Sequence, residues 1–313
     1  MVRSVFCAAA RHHRPGRARP DGARHHGQRR RDHLAMNTQA VSLGDNCIDH
    51  YLPPIEKTFI GGNALNVAVH MQRAGLPAAY VGAVGDDEHG RLILQALASV
   101  GVDTSHVRVL PGRTSFTDIR LTEQNERVFV HEHIGPVTTL ELDAELLGFI
   151  LKHRLVHTTW IGGADRYLPH LAGKPILISL DYGERYTPEF VERTIELVHL
   201  AFFSTPEAQA DQAPYLAESM SQRGSKMVVV TMGSKGSLVY FNSAMFTQPA
   251  HPVQVVDTLG AGDTFIGTFL AHWLRGADIP TCLERASWAA AQTCTHLGGW
   301  IWQPAPDMPG MSA

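Results

Sequence analysis

Residues 253–274 read VQVVDTLGAGDTFIGTFLAHWL. The three valines among residues 253–256 predict a strand. The apolar spacing of residues 264–274 predicts a helix. The glycines between them therefore lie at a turn from a strand into a helix, and such strand–helix units are typical of an α/β fold.

The turn itself, DTLGAGD at residues 257–263, combines two chemical functions. Backbone N–H groups at a helix N-terminus favour anions, and the small residues Gly260, Ala261 and Gly262 let a phosphate approach that backbone closely. The carboxylate of Asp263 would stand beside the same point, able to accept a proton from an attacking hydroxyl. An anion hole next to a base is what phosphoryl transfer to a hydroxyl requires. We therefore predict Asp263 as the general base of a kinase; the alternative is a helix capped by an aspartate after an ordinary glycine turn.

The rest of the chain supports the same fold class. Four segments rich in apolar and β-branched residues, at residues 155–160, 176–180, 200–203 and 227–231, predict buried strands. They alternate with helical stretches, which predicts a mostly parallel sheet wrapped by helices. Nearer the N-terminus we expect strands at residues 40–45 and 78–85, a helix at residues 64–71, and a second helix capped by Asp86 and Asp87.

Residues 114–133 follow a different pattern, in which apolar and polar residues alternate on either side of a polar turn at residues 123–126. This alternation predicts an antiparallel hairpin with one face in water. Together with residues 51–60, the hairpin would form a small separate sheet that acts as a lid. We therefore expect one domain over residues 36–313, with lid segments at about residues 50–60 and 113–133.

Composition narrows the functional class. The chain has 313 residues, of which 44% are apolar and 18% charged, as in an ordinary globular protein. No apolar run reaches the roughly 18 residues of a membrane span, so we expect no membrane partner. The cysteines Cys7, Cys47, Cys282 and Cys294 lack CxxC spacing, which indicates reduced thiols and a cytoplasmic protein.

Residues 1–35 differ from the rest of the chain. They hold nine arginines, five histidines and only two acids, and they lack apolar periodicity, so we expect a disordered extension with a charge of +7. Because the whole chain carries −3, residues 36–313 carry −10, which argues against nucleic-acid binding. Met36 opens directly into the first strand, and we interpret it as the native start, with residues 1–35 as an over-extended gene prediction.

Three motifs resemble those of one enzyme family. Residues 61–68, GGNALNVA, open the first long helix with a glycine pair; residues 85–90, GDDEHG, fit the pattern G-x-D-x-x-G; and DTLGAGD is the third motif. Over roughly residues 40–300 the chain resembles the PfkB, or ribokinase-like, carbohydrate kinases. The resemblance implies a three-layer α/β/α fold with a small β-sheet lid. It also implies ATP-dependent phosphorylation of a small-molecule sugar and a homodimer formed through the lid.

The family roles fall on a defined set of residues. By similarity, Asp263 is the base, and Gly260, Ala261 and Gly262 form the anion hole. The likeness implies that the sugar binds Asp49, Gly62, Asn63 and Asn66, although Asp49 can also be a turn residue and Asn63 a helix cap. Thr231, Gly233 and Gly236 would form the nucleotide turn, with Ser287 near the adenine or ribose.

One motif departs from the family. The family has N-x-x-E after a central strand, acting through water on Mg²⁺ and phosphate, whereas residues 204–211 here read STPEAQAD. The asparagine is absent, and Ala210 falls at the glutamate position. Glu207 or Asp211 would have to substitute, with Glu207 as the metal candidate. The resemblance implies ATP and Mg²⁺ as cofactors, with K⁺ near the anion hole as a further candidate.

The substrate is suggested by other segments. Within the family, residues 44–51, 59–69 and 125–129 are most similar to kinases of fructosamines. This likeness implies phosphorylation of O6 of a fructosamine such as fructoselysine, whose amino-acid part is charged, and Arg127, His131 and Asp181 are candidate partners for those charges. The alternatives are a nucleoside kinase or another ketose or hexose kinase of the same family, and a ligand-binding regulator that has lost catalysis.

Overall fold

A mostly parallel sheet of eight strands lies at the centre of the fold. The computed structural model describes residues 39–122 and 127–302. Their strands, in chain order, are β1 (Ala40–Leu43), β2 (Cys47–Tyr51), β3 (Lys57–Gly61), β4 (Ala78–Val81), β5 (Ala83–Gly85), β6 (Arg108–Leu110), β7 (Phe116–Leu121), β8 (Arg127–His133), β9 (Leu155–Thr159), β10 (Leu177–Asp181), β11 (Leu200–Ser204), β12 (Met227–Thr231), β13 (Ser237–Phe241) and β14 (Ala244–Gln248). Their α-helices are α1 (Asn63–Arg73), α2 (Glu88–Ser99), α3 (Ala144–Ile150), α4 (Leu168–Leu171), α5 (Pro188–Thr194), α6 (Ala213–Gln222), α7 (Ala261–Leu274) and α8 (Ile279–Thr293).

The strand order of the central sheet is β14-β13-β12-β11-β10-β9-β1-β4. The six strands from β12 to β4 run parallel, and the hairpin β13–β14 adds two antiparallel strands at one edge. The predicted mostly parallel sheet is confirmed. Because parallel strands end at the same edge of a sheet, the loops after β1, β9, β10 and β12 meet there, which is where open α/β sheets bind ligands.

Helices cover both faces of this sheet. In β12, Val228 and Val230 pack into a core cluster that includes Leu146 of α3 and Ala217 of α6. Met227 of the same strand points the other way, into a cluster with residues of α1, α7 and α8. Alternate side chains of a strand face opposite sides of the sheet, so each strand supplies both cores. The chain therefore has the three layers that the resemblance implies.

Strands β3-β2-β7-β8 form a separate four-stranded sheet, which we call the lid sheet. The pairs β2–β3 and β7–β8 are antiparallel, and β2 and β7 run parallel. Ile48 and Phe116 of the lid sheet pack into a third core cluster with Leu65 of α1 and Ile93 of α2. The predicted small sheet is confirmed, while its turn at residues 123–126 lies outside the described residues.

The predicted strand at residues 253–256 is wrong. In the described part of the chain this segment pairs with no strand; the N–H groups of Val256 and Asp257 donate instead to the carbonyl of Cys294, at 2.8 and 3.3 Å. Val255 exposes 57% of its surface. The apolar pattern is typical of a strand, but the sheet edge beyond β12 is already filled by the hairpin β13–β14.

The predicted strand at residues 78–85 is divided in two. β4 stays beside β1, whereas β5 leaves the central sheet and pairs with β6. Gly82 stands at the break, where a Cβ would lie 2.2 Å from the hydroxyl oxygen of Tyr80. That hydroxyl donates to the carbonyl of Gly44 at 2.8 Å, so the break ties β4 to the end of β1.

Three further sequence expectations concern the N-terminal extension, the cysteines and membrane spans. Residues 1–35, expected to be a disordered extension, lie outside the described residues. Cys47, Cys282 and Cys294 are free thiols. Of the helices described, none has the length and apolar character needed to cross a membrane.

Candidate active site

Helix α7 begins at Ala261, so Asp263 lies in its first turn. Gly260 precedes the helix with φ 74°, a left-handed conformation that favours glycine. A Cβ at Gly260 would lie 2.4 Å from the Cα of Gly299, whereas a Cβ at Gly262 would meet no atom within 4 Å. Gly299 therefore packs directly against the turn at Gly260, whereas free space lies beside Gly262. N–H groups in the first turn of a helix have no intrahelical partner, so this opening favours an anion.

The carboxylate of Asp263 is buried and held by α1. Its Oδ2 accepts a hydrogen bond of 2.8 Å from Nδ2 of Asn66, and Oδ1 of Asn66 accepts one of 3.1 Å from Nε1 of Trp300. Gly267 lets the two helices approach closely, since a Cβ there would lie 2.7 Å from the Cβ of His70. Close packing of α1 on α7 thus places Asn66 against Asp263.

Three further buried aspartates lie near Asp263. They are Asp45 after β1, Asp49 in β2 and Asp181 at the end of β10, and each is at most 7% exposed. Burial raises the pKa of Asp263 well above its usual value, and the charges of Asp181, Asp45 and Asp49 raise it further. Burial also raises the pKa of Asp45, and it raises the pKa of Asp181 to about 6. The structure therefore brings together Asp49, Asp181 and Asp263, which were predicted separately.

Asp45 is a site residue that the sequence prediction missed. Its Oδ2 accepts from the backbone N–H of Asn63 at 2.7 Å, and its Oδ1 accepts from that of Ala64 at 3.1 Å. Asp45 therefore caps α1 from another part of the chain. Asn63 does not cap the helix; its side chain lies near the carboxylate of Asp181, where it lowers the pKa of that group against the larger effect of burial. The only sequence signal for this role is an acid directly after the glycine that ends the first strand.

The glycine pair explains how Asp49 reaches the site. A Cβ at Gly61 would lie 2.1 Å from Oδ2 of Asp49, and a Cβ at Gly62 would lie 2.4 Å from the Cα of Asn46. Gly62 also has φ 102°, which other residues rarely adopt. Asp49 lies within strand β2 rather than in a turn. Larger residues at either glycine would separate the lid sheet from α1, so the motif fixes the position of Asp49.

A cleft of about 680 Å³ opens at the start of α7. Ala261 and Gly262 line it, and Asp263 does not. The four residues predicted for the nucleotide all line the same cleft: Thr231, Gly233, Gly236 and Ser287. The turn of α7 therefore separates a cleft on one side from the buried carboxylates on the other.

The walls of the cleft suit a nucleotide. Val253 and Phe265 contribute apolar surface against which a base can pack. Three other wall residues bury polar atoms that lack a hydrogen-bond partner in the described structure: Oγ1 of Thr205, Oγ of Ser237 and Nε2 of His251. Buried polar groups are normally satisfied, so these atoms fit a ligand that brings its own donors and acceptors, as ATP does.

Glu207, the predicted metal candidate, lines the cleft beside the nucleotide turn. Its Oε1 accepts from the backbone N–H of Ser234 at 2.8 Å, and this bond is the main cause that lowers the pKa of Glu207. Glu184, which the sequence prediction missed, lines the cleft too, and Asp211 does not. Within residues 39–122 and 127–302, no cluster of three or more His, Cys, Asp or Glu is arranged to hold a metal. A metal here would therefore depend on ligands that the nucleotide brings.

The two remaining candidates for substrate charges lie in the lid sheet. The side chain of Arg127 is outside the described residues. Nδ1 of His131 lies 3.6 Å from Oδ2 of Asp118, and Oδ1 of Asp118 lies 3.2 Å from Nδ1 of His50. Because neighbouring residues of a strand face opposite sides, His50 and its partners occupy the face that Asp49 does not. The structure does not bring His131 to the buried carboxylates.

A model of the pfkB family of carbohydrate kinases matches residues 39–157 and 180–305. The chain belongs to this family. As a pfkB-family protein it is an ATP-dependent carbohydrate kinase, and the cleft and the α7 turn are the parts that such an enzyme needs.

Comparison with individual proteins shows which members of the pfkB family the chain resembles. The chain is 36% identical over 268 residues to a fructoselysine 6-kinase of Shigella flexneri, and this alignment covers 85% of the chain and all of the relative. It is 32% identical over 263 residues to a fructosamine kinase of Bacillus subtilis, covering 83% of this chain and 92% of the relative. The structure of Arabidopsis thaliana ribokinase complexed with ribose and ATP superposes with a TM-score of 0.72 at 24% identity, over 84% of this chain and 94% of that one. The ribokinase-like fold is confirmed.

Proposed function

We propose that this carbohydrate kinase phosphorylates O6 of a fructosamine such as fructoselysine. The observation that carries the proposal is the group of buried carboxylates Asp45, Asp181 and Asp263, to which the described residues provide no ion pair. The amine that joins sugar and amino acid in a fructosamine is protonated near neutral pH. A cationic substrate would offset the charge that burial penalises, and a neutral sugar would not. The likeness to kinases named for fructoselysine and fructosamine supports the same substrate class.

In the proposed reaction, Asp263 accepts the proton of the acceptor hydroxyl as that oxygen attacks the γ-phosphate of ATP. Asn66 occupies Oδ2 of Asp263, which leaves Oδ1 for the substrate. The backbone around Gly260, Ala261 and Gly262 holds the transferring phosphate, because the helix start presents N–H groups and positive potential there. Base and anion hole thus act from one turn of α7.

The sugar is proposed to lie on the carboxylate side of this turn. Asp49, Gly62 and Asn66 would contact its hydroxyls, and Asn63 and Asp181 would lie towards its amine. The side chains of Asn63 and Asp181 lie near each other, so together they would present one polar surface. This arrangement supports recognition of a polyhydroxylated cation, because each group offers an acceptor or a charge rather than an apolar contact.

ATP is proposed to fill the cleft, with its phosphates towards Gly262. Thr231, Gly233 and Gly236 would approach the nucleotide at the turn after β12, and Ser287 would lie near the adenine or ribose. Bound Mg²⁺ supplies charge neutralisation at the phosphates. Among the described residues, the carboxylates that line the cleft and would reach such an ion through water are Glu207 and Glu184. A K⁺ requirement stays a prediction from the family likeness, and exchange of K⁺ for Na⁺ in the assay tests it.

The substrate is tested by measuring ADP release with fructoselysine, two other fructosamines, fructose, ribose and adenosine. We expect kcat/KM for the fructosamines to exceed that for fructose by at least about 100-fold, the effect of one or two good ionic or hydrogen-bonded contacts. Product analysis should place the phosphate on O6. A preference for adenosine would favour a nucleoside kinase. Equally low turnover of all six compounds would contradict the proposal and favour a ligand-binding regulator.

We further propose a homodimer that forms through the lid sheets. Val128, Phe129 and Val130 on the edge strand β8 expose 45–47% of their surface, and Ile134 exposes 62%. Apolar side chains on an unpaired strand edge are typical of an interface. Light scattering after gel filtration should find a dimer for the native chain and a monomer for Val130→Lys. Val109→Lys, on β6 outside the lid sheet and 54% exposed, is the matched control and should stay dimeric. A monomeric native chain would contradict the proposal.

A further inference from the structure

Trp300, Asn66 and Asp263 form a buried chain of two hydrogen bonds. Nε1 of Trp300 donates to Oδ1 of Asn66 at 3.1 Å, and Nδ2 of Asn66 donates to Oδ2 of Asp263 at 2.8 Å. The three residues are 1%, 3% and 7% exposed, so water has little access to either bond. An indole N–H can only donate, and an amide has one accepting and one donating end. The indole therefore fixes which end of the Asn66 amide faces the carboxylate.

The segment that carries Trp300 is itself held against α1. The carbonyl of Gly299 lies 3.1 Å from Nε2 of His70. Nη2 of Arg73 donates to the carbonyl of Ile301 at 2.8 Å, and its guanidinium lies over the Trp300 ring, 5.2 Å from the centroid. Burial lowers the pKa of His70 to about 4, so that ring is neutral at physiological pH. The indole is thus anchored on both sides by the helix that bears Asn66.

Little space remains for the Asn66 amide to move. A Cβ at Gly299 would lie 2.9 Å from Nδ2 of Asn66, so the Gly299 backbone closes directly on the amide. Rotation of the amide by half a turn would bring its oxygen against the carboxylate and its NH₂ against the indole N–H. Both contacts would be repulsive in a buried site, and two polar groups would lose their partners.

We propose that Trp300 is a positioning residue for the base: through Asn66 it holds Oδ2 of Asp263 and leaves Oδ1 directed to the acceptor hydroxyl. This inference rests on the proposed role of Asp263. It has a consequence for protonation as well as for geometry. Burial raises the pKa of Asp263, and the Asn66 hydrogen bond lowers it, so the chain opposes protonation of the base.

The test is the pH dependence of kcat/KM in Trp300→Phe, which keeps an aromatic ring and removes the N–H. Loss of the fixed amide weakens one hydrogen bond to the ionised base, so the acid limb should move upward by roughly 0.5–1 pH unit. Trp302→Phe is the matched control. The N–H of Trp302, in the same segment, donates to Oγ of Ser99 at 3.1 Å and has no described route to Asp263, so its profile should equal that of the native enzyme.

A second variant separates positioning from packing. Asn66→Ala removes the amide, and Trp300→Phe added to it should cause no further shift of the acid limb, because the indole acts only through Asn66. Replacement of Trp300 by benzothienylalanine, which keeps the shape and lacks the N–H, should reproduce the shift with a smaller loss of thermal stability than Trp300→Phe, because it leaves no cavity. An acid limb unchanged in both Trp300 variants, or moved equally in Trp302→Phe, would overturn the inference.

Failure of the inference is distinguishable from failure of the proposed base. If Asp263→Asn keeps its activity, Asp263 is not the base, and the inference fails with it. If Asp263→Asn is inactive and the Trp300 variants keep the native pH profile, the base stands and only the positioning role of Trp300 is overturned.

Discussion

The hydroxyl of Tyr51 donates a hydrogen bond to Oδ2 of Asp257. Tyr51 belongs to β2 of the lid sheet, and Asp257 begins the segment that ends at Asp263. Asp257 also accepts from the backbone N–H groups of Leu259 and Gly298, both at 3.0 Å. The lid sheet is therefore bonded directly to the loop that precedes the proposed anion hole.

Tyr51→Phe should weaken sugar binding more than nucleotide binding. Loss of the hydroxyl frees the strand that carries Asp49 from the loop before α7, so we expect KM for the sugar to rise about 3- to 10-fold, the effect of one hydrogen bond. KM for ATP should change less than twofold. Steady-state kinetics with each substrate varied tests this. Tyr182→Phe, which removes a buried hydroxyl bonded to Thr194 in a core cluster outside the lid sheet, should lower stability alone.

Asp263→Asn should lower kcat at least about 100-fold, since the amide cannot accept the proton of the acceptor hydroxyl. Nucleotide binding should persist, because Asp263 does not line the cleft. Calorimetric titration with ATP and a kinetic assay of the same preparation separate the two effects. Native turnover in this variant would refute Asp263 as the base.

Asp181→Asn should reduce selectivity for fructosamines over fructose. The carboxylate is proposed to lie towards the substrate amine, so kcat/KM should fall about 10-fold or more for fructoselysine and little for fructose. The ratio of the two values is the measurement. Asp165→Asn, which removes the carboxylate that pairs with the exposed Arg193, should leave the ratio unchanged. An equal loss for both sugars would indicate a general structural role for Asp181.

The same Asp181 variant should change the pH dependence of stability. Burial raises the pKa of Asp181 from 3.8 to about 6, so the folded state favours its protonated form. That contribution to the free energy of unfolding is present below about pH 4 and is lost as pH rises through 6. Asparagine does not ionise, so the melting temperature of the variant relative to the native protein should increase between pH 4 and 7. A difference in melting temperature that stays constant from pH 4 to 7 would contradict a raised pKa for Asp181.

Gly262→Ala should separate stability from activity. A Cβ at this position meets no atom within 4 Å, and alanine favours a helix over glycine by roughly 0.5–1 kcal/mol, so the fold should be at least as stable. The methyl group would occupy the opening proposed for the phosphate, and we expect kcat to fall at least 10-fold. Gly148→Ala, in α3 and equally open, is the matched control and should gain stability without loss of activity. Thermal melts and steady-state kinetics of both variants test this prediction, and unchanged kcat in Gly262→Ala would contradict it.

The central sheet was predictable because its strands are buried on both faces and separated by helices, which leaves a strong apolar pattern. The segment at residues 253–256 carries the same pattern and forms no strand, since pairing depends on a free sheet edge that local sequence cannot show. DTLGAGD and the glycine pair were predictable because short motifs hold their own geometry. Asp45 and Trp300 were missed because the groups that each one bonds lie elsewhere in the chain, and Glu184 was missed because no motif surrounds it.

Ala261, Gly262 and Asp263 are consecutive, yet the first two line the cleft and the third faces the aspartates. In the proposed function, the sugar and the nucleotide are therefore recognised by separate sets of side chains that share only one turn of helix. Changes on the aspartate side can alter which acceptor is used while the nucleotide side stays intact. With this layout, the preference for one acceptor can change without any change in nucleotide binding. A kinase lineage needs this property to diversify over many sugars.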